Sequence, residues 1–123
     1  MDLPPSQTQY RLVVPPQVWR EFFEQFTSDY RGRLITLKIL DQQMGDFEVL
    51  SHKRLFSVLY EPPNHGNDLV VTVSRPLSVG TATYAHVIVY PQMIDVITDQ
   101  GGKIESCTVT DDDHAQTIIC LES

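Results

Sequence analysis

Hydrophobic positions change period once along this chain. Between Val18 and Tyr30 they recur at helical spacing. Val18, Trp19, Phe22, Phe23, Phe26 and Tyr30 fall within an arc of roughly 140° at 100° per residue. Arg20, Glu21, Glu24, Thr27 and Ser28 take the other side. This predicts an amphipathic helix from about Pro16 to Ser28. Pro15 and Pro16 suit its first turn, where the missing N–H costs nothing, and Gly32 supplies a stop. Burying a Phe-sized side chain is worth about 1.5–3 kcal/mol. Six such residues left in water would remove most of the marginal stability of a domain this size. The aromatic face is therefore expected to close a core.

From Arg33 onward the period falls to two, the spacing of half-buried strands. In Arg33–Leu40, Ile35, Leu37 and Ile39 share one face, with Thr36 and Lys38 on the other. Short strands are expected at Phe47–Leu50 and Leu55–Tyr60, joined by Ser51–Arg54. The breaker cluster Pro62–Asn67 separates these from the strand Leu69–Val73. Thr81–Tyr90 and Met93–Thr98 follow, interrupted by Pro91-Gln92. Asp99–Gly102 and Asp111–His114 punctuate the closing strands Lys103–Thr110 and Gln116–Leu121. Residues 1–14 read as an extended arm, in which Tyr10–Val14 has the propensity for a short edge strand. Residues 15–123 form one domain. No second helical pattern occurs, so a parallel βαβ arrangement is not expected. The expected fold is α+β: one N-terminal amphipathic helix packed on a bent, mostly antiparallel sheet of six to eight strands.

Charge adds a constraint. The chain has 123 residues and a net charge of −7. Residues 1–60 are neutral in sum, and residues 61–123 hold the whole excess, with only Arg75 and Lys103 as cations. An acidic chain lacks the basic field a phosphate backbone requires, so no nucleic-acid partner is expected. No apolar run approaches the roughly 18 residues needed to span a membrane. Met1–Gln9 shows no leader-like pattern, and a cytoplasmic location is the default expectation. Cys107 and Cys120 are too few for a disulfide scaffold and are expected to be free.

The order of helix, Gly32, strand, then His86-x-x-x-x-Pro91, strand, polar turn and two closing strands resembles a family of small uncharacterised bacterial proteins. The resemblance runs over most of the chain from Val14 on. It implies an α+β domain of the bacterial cytoplasm and brings no activity and no site residues.

Candidate chemistry is sparse. His52, His65, His86 and His114 form no zinc-ligand spacing with one another or with cysteine. Asp111, Asp113 and His114 make the densest polar cluster and are weak metal candidates. The run lacks the spaced ligands and central glycine of a calcium loop, which favours a solvated hairpin tip. Alternation along Thr81–Tyr90 places Tyr84, His86, Ile88 and Tyr90 on one face. If Pro91-Gln92 reverses the chain, Asp95 lies diagonal to His86, and a His–Asp pair flanked by Tyr84 and Tyr90 becomes a candidate acid–base site. A structural histidine in a tyrosine-rich sheet face is the plainer reading. No nucleophile elbow, phosphate loop or cofactor motif occurs, so no cofactor is expected.

These readings favour a non-enzymatic protein-binding or assembly module, with a two-fold homodimer expected through the neutral N-terminal half. The alternative is a small enzyme or ligand-binding cup with its pocket near His86, between helix and sheet.

Overall fold

In the computed structural model, residues 9–122 are described; the first eight residues of the arm, Pro4 and Pro5 among them, lie outside this range. Pro16–Val18 form one turn of 3-10 helix, and the helix α1 follows as Trp19–Tyr30. It runs two residues past the expected end. Arg31 N–H still donates to the Thr27 carbonyl at 2.9 Å, and Gly32, at φ +89°, then turns the chain away. Trp19, Phe23, Phe26 and Tyr30 are buried as expected, and Phe22 is half-buried. Val18 is exposed. It belongs to the tighter turn, whose different angular step takes it off the aromatic face.

Eight strands form one sheet: β1 (Tyr10–Val13), β2 (Leu34–Asp41), β3 (Gly45–Glu61), β4 (Asp68–Pro76), β5 (Thr81–Val89), β6 (Pro91–Thr98), β7 (Ile104–Asp111) and β8 (Gln116–Leu121). All pairings are antiparallel, in the order β1-β6-β7-β8-β2-β3-β4-β5. Together with α1 this is the expected α+β architecture.

Two connections differ from the sequence reading. The first is β3, a single strand of 17 residues where two were expected. Its polar middle, Ser51–Arg54, stays in the strand because β3 bulges. Ile35 faces Lys53, yet Leu37 faces Leu50, so β3 carries an extra residue there, with His52 at φ 53°. Further shifts follow opposite Lys38 and, against β4, at Phe56. Bulges of this kind increase twist and bend a strand. The second is the Pro91 junction, expected as a possible reversal. β5 and β6 are not paired: they are eighth and second in the sheet. Only Tyr90, at φ 51°, separates them, held by its N–H donating to the Asn67 carbonyl at 3.0 Å. Proline cannot supply the positive angles of a two-residue hairpin, so the chain corners instead of reversing. Strand ends two residues apart lie within about 8 Å. The sheet must therefore curl until the end of β5 meets the start of β6.

The helix fills the resulting trough. β2 leaves β3 at the pair Leu34–Arg54, and α1 covers the β3 edge that continues beyond it. Thr27 Oγ1 accepts from Val58 N–H at 2.9 Å and donates to the Val58 carbonyl at 3.1 Å. Arg31 Nε donates to the Phe56 carbonyl at 2.9 Å. Trp19 Nε1 donates to the Val14 carbonyl at 2.9 Å, and Tyr30 Oη accepts from Ile104 N–H at 2.9 Å. Phe23, Phe26, Ile35, Leu37, Val71 and Ile94 are among the residues that close the core.

Candidate binding cleft and sheet edge

The residues singled out by the sequence are dispersed by this topology. Asp95 is buried on β6, where its Oδ2 accepts from Arg11 Nη2 of β1 at 3.1 Å. That hydrogen bond and the attraction of Asp95 hold the Arg11 guanidinium above its ordinary pKa. His86 stands on β5 beside Val71, half-buried, and desolvation pushes its pKa down. Among the described residues, no side chain is hydrogen-bonded to its ring. The expected His86–Asp95 pair does not form, because the hairpin that would create it does not exist. Tyr90 is exposed at the corner. Tyr84, also exposed, keeps the face of His86 and lines a cleft described below.

The Asp111–His114 run is a hairpin tip. Asp111 Oδ1 accepts from Asp113 N–H at 2.9 Å and Ala115 N–H at 3.0 Å. His114 adopts φ 65° at the same turn. Asp41 and Asp99 cap two further hairpins in the same way. These are Asx turns, so three aspartates shape backbone. Among the described residues, no group of three His, Cys, Asp or Glu side chains is arranged to hold a metal ion. Cys107 and Cys120 are free. Cys107 faces Ile119 and Cys120 faces Ser106, so the one-residue offset points the thiols to opposite faces. Burial pushes the Cys107 thiol far up, with Asp95 adding to the shift.

The concave side of the β3–β4–β5 ribbon carries a cleft of about 400 Å³. Val49, Leu50, Val73 and Ala82, with the Tyr84 ring, supply apolar surface. Lys53 and Arg75 supply charge, and Ser74 and Thr83 complete the lining between them. No carboxylate lines it. Lys53 and Arg75 were missed in the sequence because they are far apart along it. Register brings them together: Arg54 faces Ser74 and Arg75 faces Ala82, with Lys53 and Ser74 each next in line.

The other feature is the edge strand itself. β5 is nine residues long and contains no proline and no Lys, Arg, Asp or Glu. Most of its side chains are exposed, Val87 at 49% and Val89 at 50%. On the outer face Leu59, Val70 and Val87 stand in register across three strands. A model of DUF5335, a family of unknown function, matches residues 11–123, from inside β1 through β8. The chain belongs to that family. No curated protein and no solved structure matches it. The family match thus spans both the cleft and the β5 edge and assigns a role to neither.

Proposed function

We propose that this protein is a non-enzymatic assembly module that pairs with a second copy of itself along β5. The observation that carries this reading is the nine-residue, charge-free and proline-free edge. Sheet edges present unpaired backbone groups, and soluble proteins ordinarily blunt them with charge, proline or brevity. β1, at the opposite edge, has these devices: it is four residues long, carries Arg11 and runs into Pro15-Pro16. The arm segment Tyr10–Val13 pairs with β6 of its own subunit. β5 has no such protection, although it lies in the acidic half of the chain.

A second copy suits this edge better than an unrelated strand does. Two-fold pairing centred on Ala85 sets Thr83 against the partner's Val87, with a small residue on the axis. Charge is complementary as well. Glu61 and Asp68 lie at the β5 C-terminal end of the ribbon, and Lys53, Arg54 and Arg75 at the other. A two-fold axis reverses the second ribbon and sets acidic end beside basic end.

Sedimentation velocity at micromolar concentration tests the reading. The wild type is expected at twice the 14.0 kDa chain mass. Ala85→Lys, which sets two like charges directly opposite each other on the axis, is expected at the monomer mass, and Val13→Lys on β1 is expected to remain a dimer. A wild type that stays monomeric, or an Ala85→Lys variant that stays dimeric, overturns it.

A further inference from the structure

The cleft on the concave side of the ribbon shares Ala82 and Tyr84 with β5, but its charge and apolar lining play no part in the pairing of that edge. At about 400 Å³ it is of a size that suits a small organic molecule. Its apolar lining comes from three strands: Leu50 from β3, Val73 from β4, and Ala82 with the Tyr84 ring from β5. Its two charged groups, Lys53 and Arg75, are both cations. Among the described residues, neither is in an ion pair or a side-chain hydrogen bond. Residues 61–123 have only two cations among nine carboxylates, and one of the two stands here. Elsewhere, Arg11 is committed to Asp95, Arg20 to Glu24, Arg31 to Phe56, and Arg33 to the Glu122 carbonyl. The shallow depression on the outer face shows the alternative arrangement, with Lys38 flanked by Asp46 and Glu48. In the concave cleft no acid neutralises the cations.

We propose that this cleft binds a small carboxylate with an apolar body, its carboxylate held by Lys53 and Arg75 and its hydrocarbon laid on Leu50, Val73 and Tyr84. Arg75 offers a planar fork that matches a carboxylate, and Lys53 adds a flexible second charge. A fully hydrophilic anion leaves the apolar lining uncovered. An uncharged hydrocarbon leaves the two cations without a partner. The combination of lining and charge selects the amphiphile.

Octanoate is the probe, with octan-1-ol and inorganic phosphate as matched ligands lacking the charge or the hydrocarbon. Calorimetric titration of the full chain is expected to show octanoate binding at one site per chain. Octan-1-ol and phosphate are each expected to bind at least about ten-fold more weakly. Lys53→Gln with Arg75→Gln is expected to weaken octanoate by at least about ten-fold while leaving octan-1-ol unchanged. Both residues reach solvent, so the double variant folds, and its unchanged thermal melt verifies this. In amide NMR spectra, octanoate is expected to shift Leu50, Val73, Ala82 and Tyr84 and to spare β7 and β8. Lack of octanoate binding, equal binding of octan-1-ol, an unaffected double variant, or shifts centred elsewhere each overturns the proposal.

Discussion

Single residues in this molecule take their roles from depth more than from type. Phe22 and Phe23 are neighbours with the same side chain, but Phe23 has no exposed surface and Phe22 is only half-buried. Truncating Phe23 to alanine removes its edge-on contacts with Phe22 and Phe26 and leaves a cavity. The expected cost is about 3–5 kcal/mol. Phe22→Ala is expected to cost clearly less, since solvent fills part of the space it vacates. Denaturant melts of the two variants check this ordering. His86 illustrates the same point for a titrating group. Burial lowers its folded pKa below the ordinary 6.5. The unfolded chain therefore binds the proton more readily in the window between the two values. Stability that depends on a neutral His86 is present above 6.5 and is lost as pH falls through that value toward the lower folded one. His86→Gln is expected to shrink the loss of stability between about pH 8 and about pH 5. Denaturant titrations of wild type and variant at the two pH values read that difference directly.

At the scale of elements, the helix and the strand periodicities were legible because they depend on neighbours close in sequence. Val18–Tyr30 announces its buried face by spacing alone, and the alternation in β2 and β4 correctly identifies Ile35, Leu37, Leu69, Val71 and Val73 as inward. The misread segments are those where a backbone irregularity overrides composition. Ser51–Arg54 has the polarity of a loop, but the bulge at His52 lets it remain within β3. Tyr90-Pro91 has the signature of an interruption, but it is a corner between strands that are not neighbours. The join of α1 to β3 is another feature invisible to periodicity. Thr27, placed by its sequence position on the polar side, is buried and satisfies both backbone groups of Val58. Thr27→Val keeps the volume and removes the hydroxyl. It strands two buried polar groups, at an expected cost of about 1–3 kcal/mol for each one left unpaired. A thermal melt with the isosteric variant separates this loss from any packing defect.

Over the whole molecule, the fold was predicted by short-range pattern and the candidate sites were not. A strand order in which β5 and β6 are eighth and second cannot be read from alternation, and it decides both sites. It separates His86 from Asp95, dissolving the pair that the sequence suggested. It also leaves β5 as a long, uncharged edge and collects Lys53 and Arg75 over one apolar surface. The charge asymmetry was visible from the start, but its meaning changes once register is known. The acidic half contains three turn-capping or ion-paired aspartates, namely Asp95, Asp99 and Asp111, and an edge strand without charge.

The proposed β5 dimer brings two copies of Ala85 together on its two-fold axis. A cysteine placed there tests register as well as association, since a cross-strand disulfide demands close Cα atoms, typically about 4.4–6.8 Å apart. The native cysteines do not obscure the reading, because Cys107 is buried and Cys120 lies on β8, away from the edge. Ala85→Cys is to be oxidised mildly at micromolar concentration beside Thr81→Cys, which the two-fold pairing sets opposite the partner's Val89. A disulfide-linked dimer is expected for Ala85→Cys and little for Thr81→Cys. No cross-link at position 85, or equal cross-linking at both positions, would contradict it.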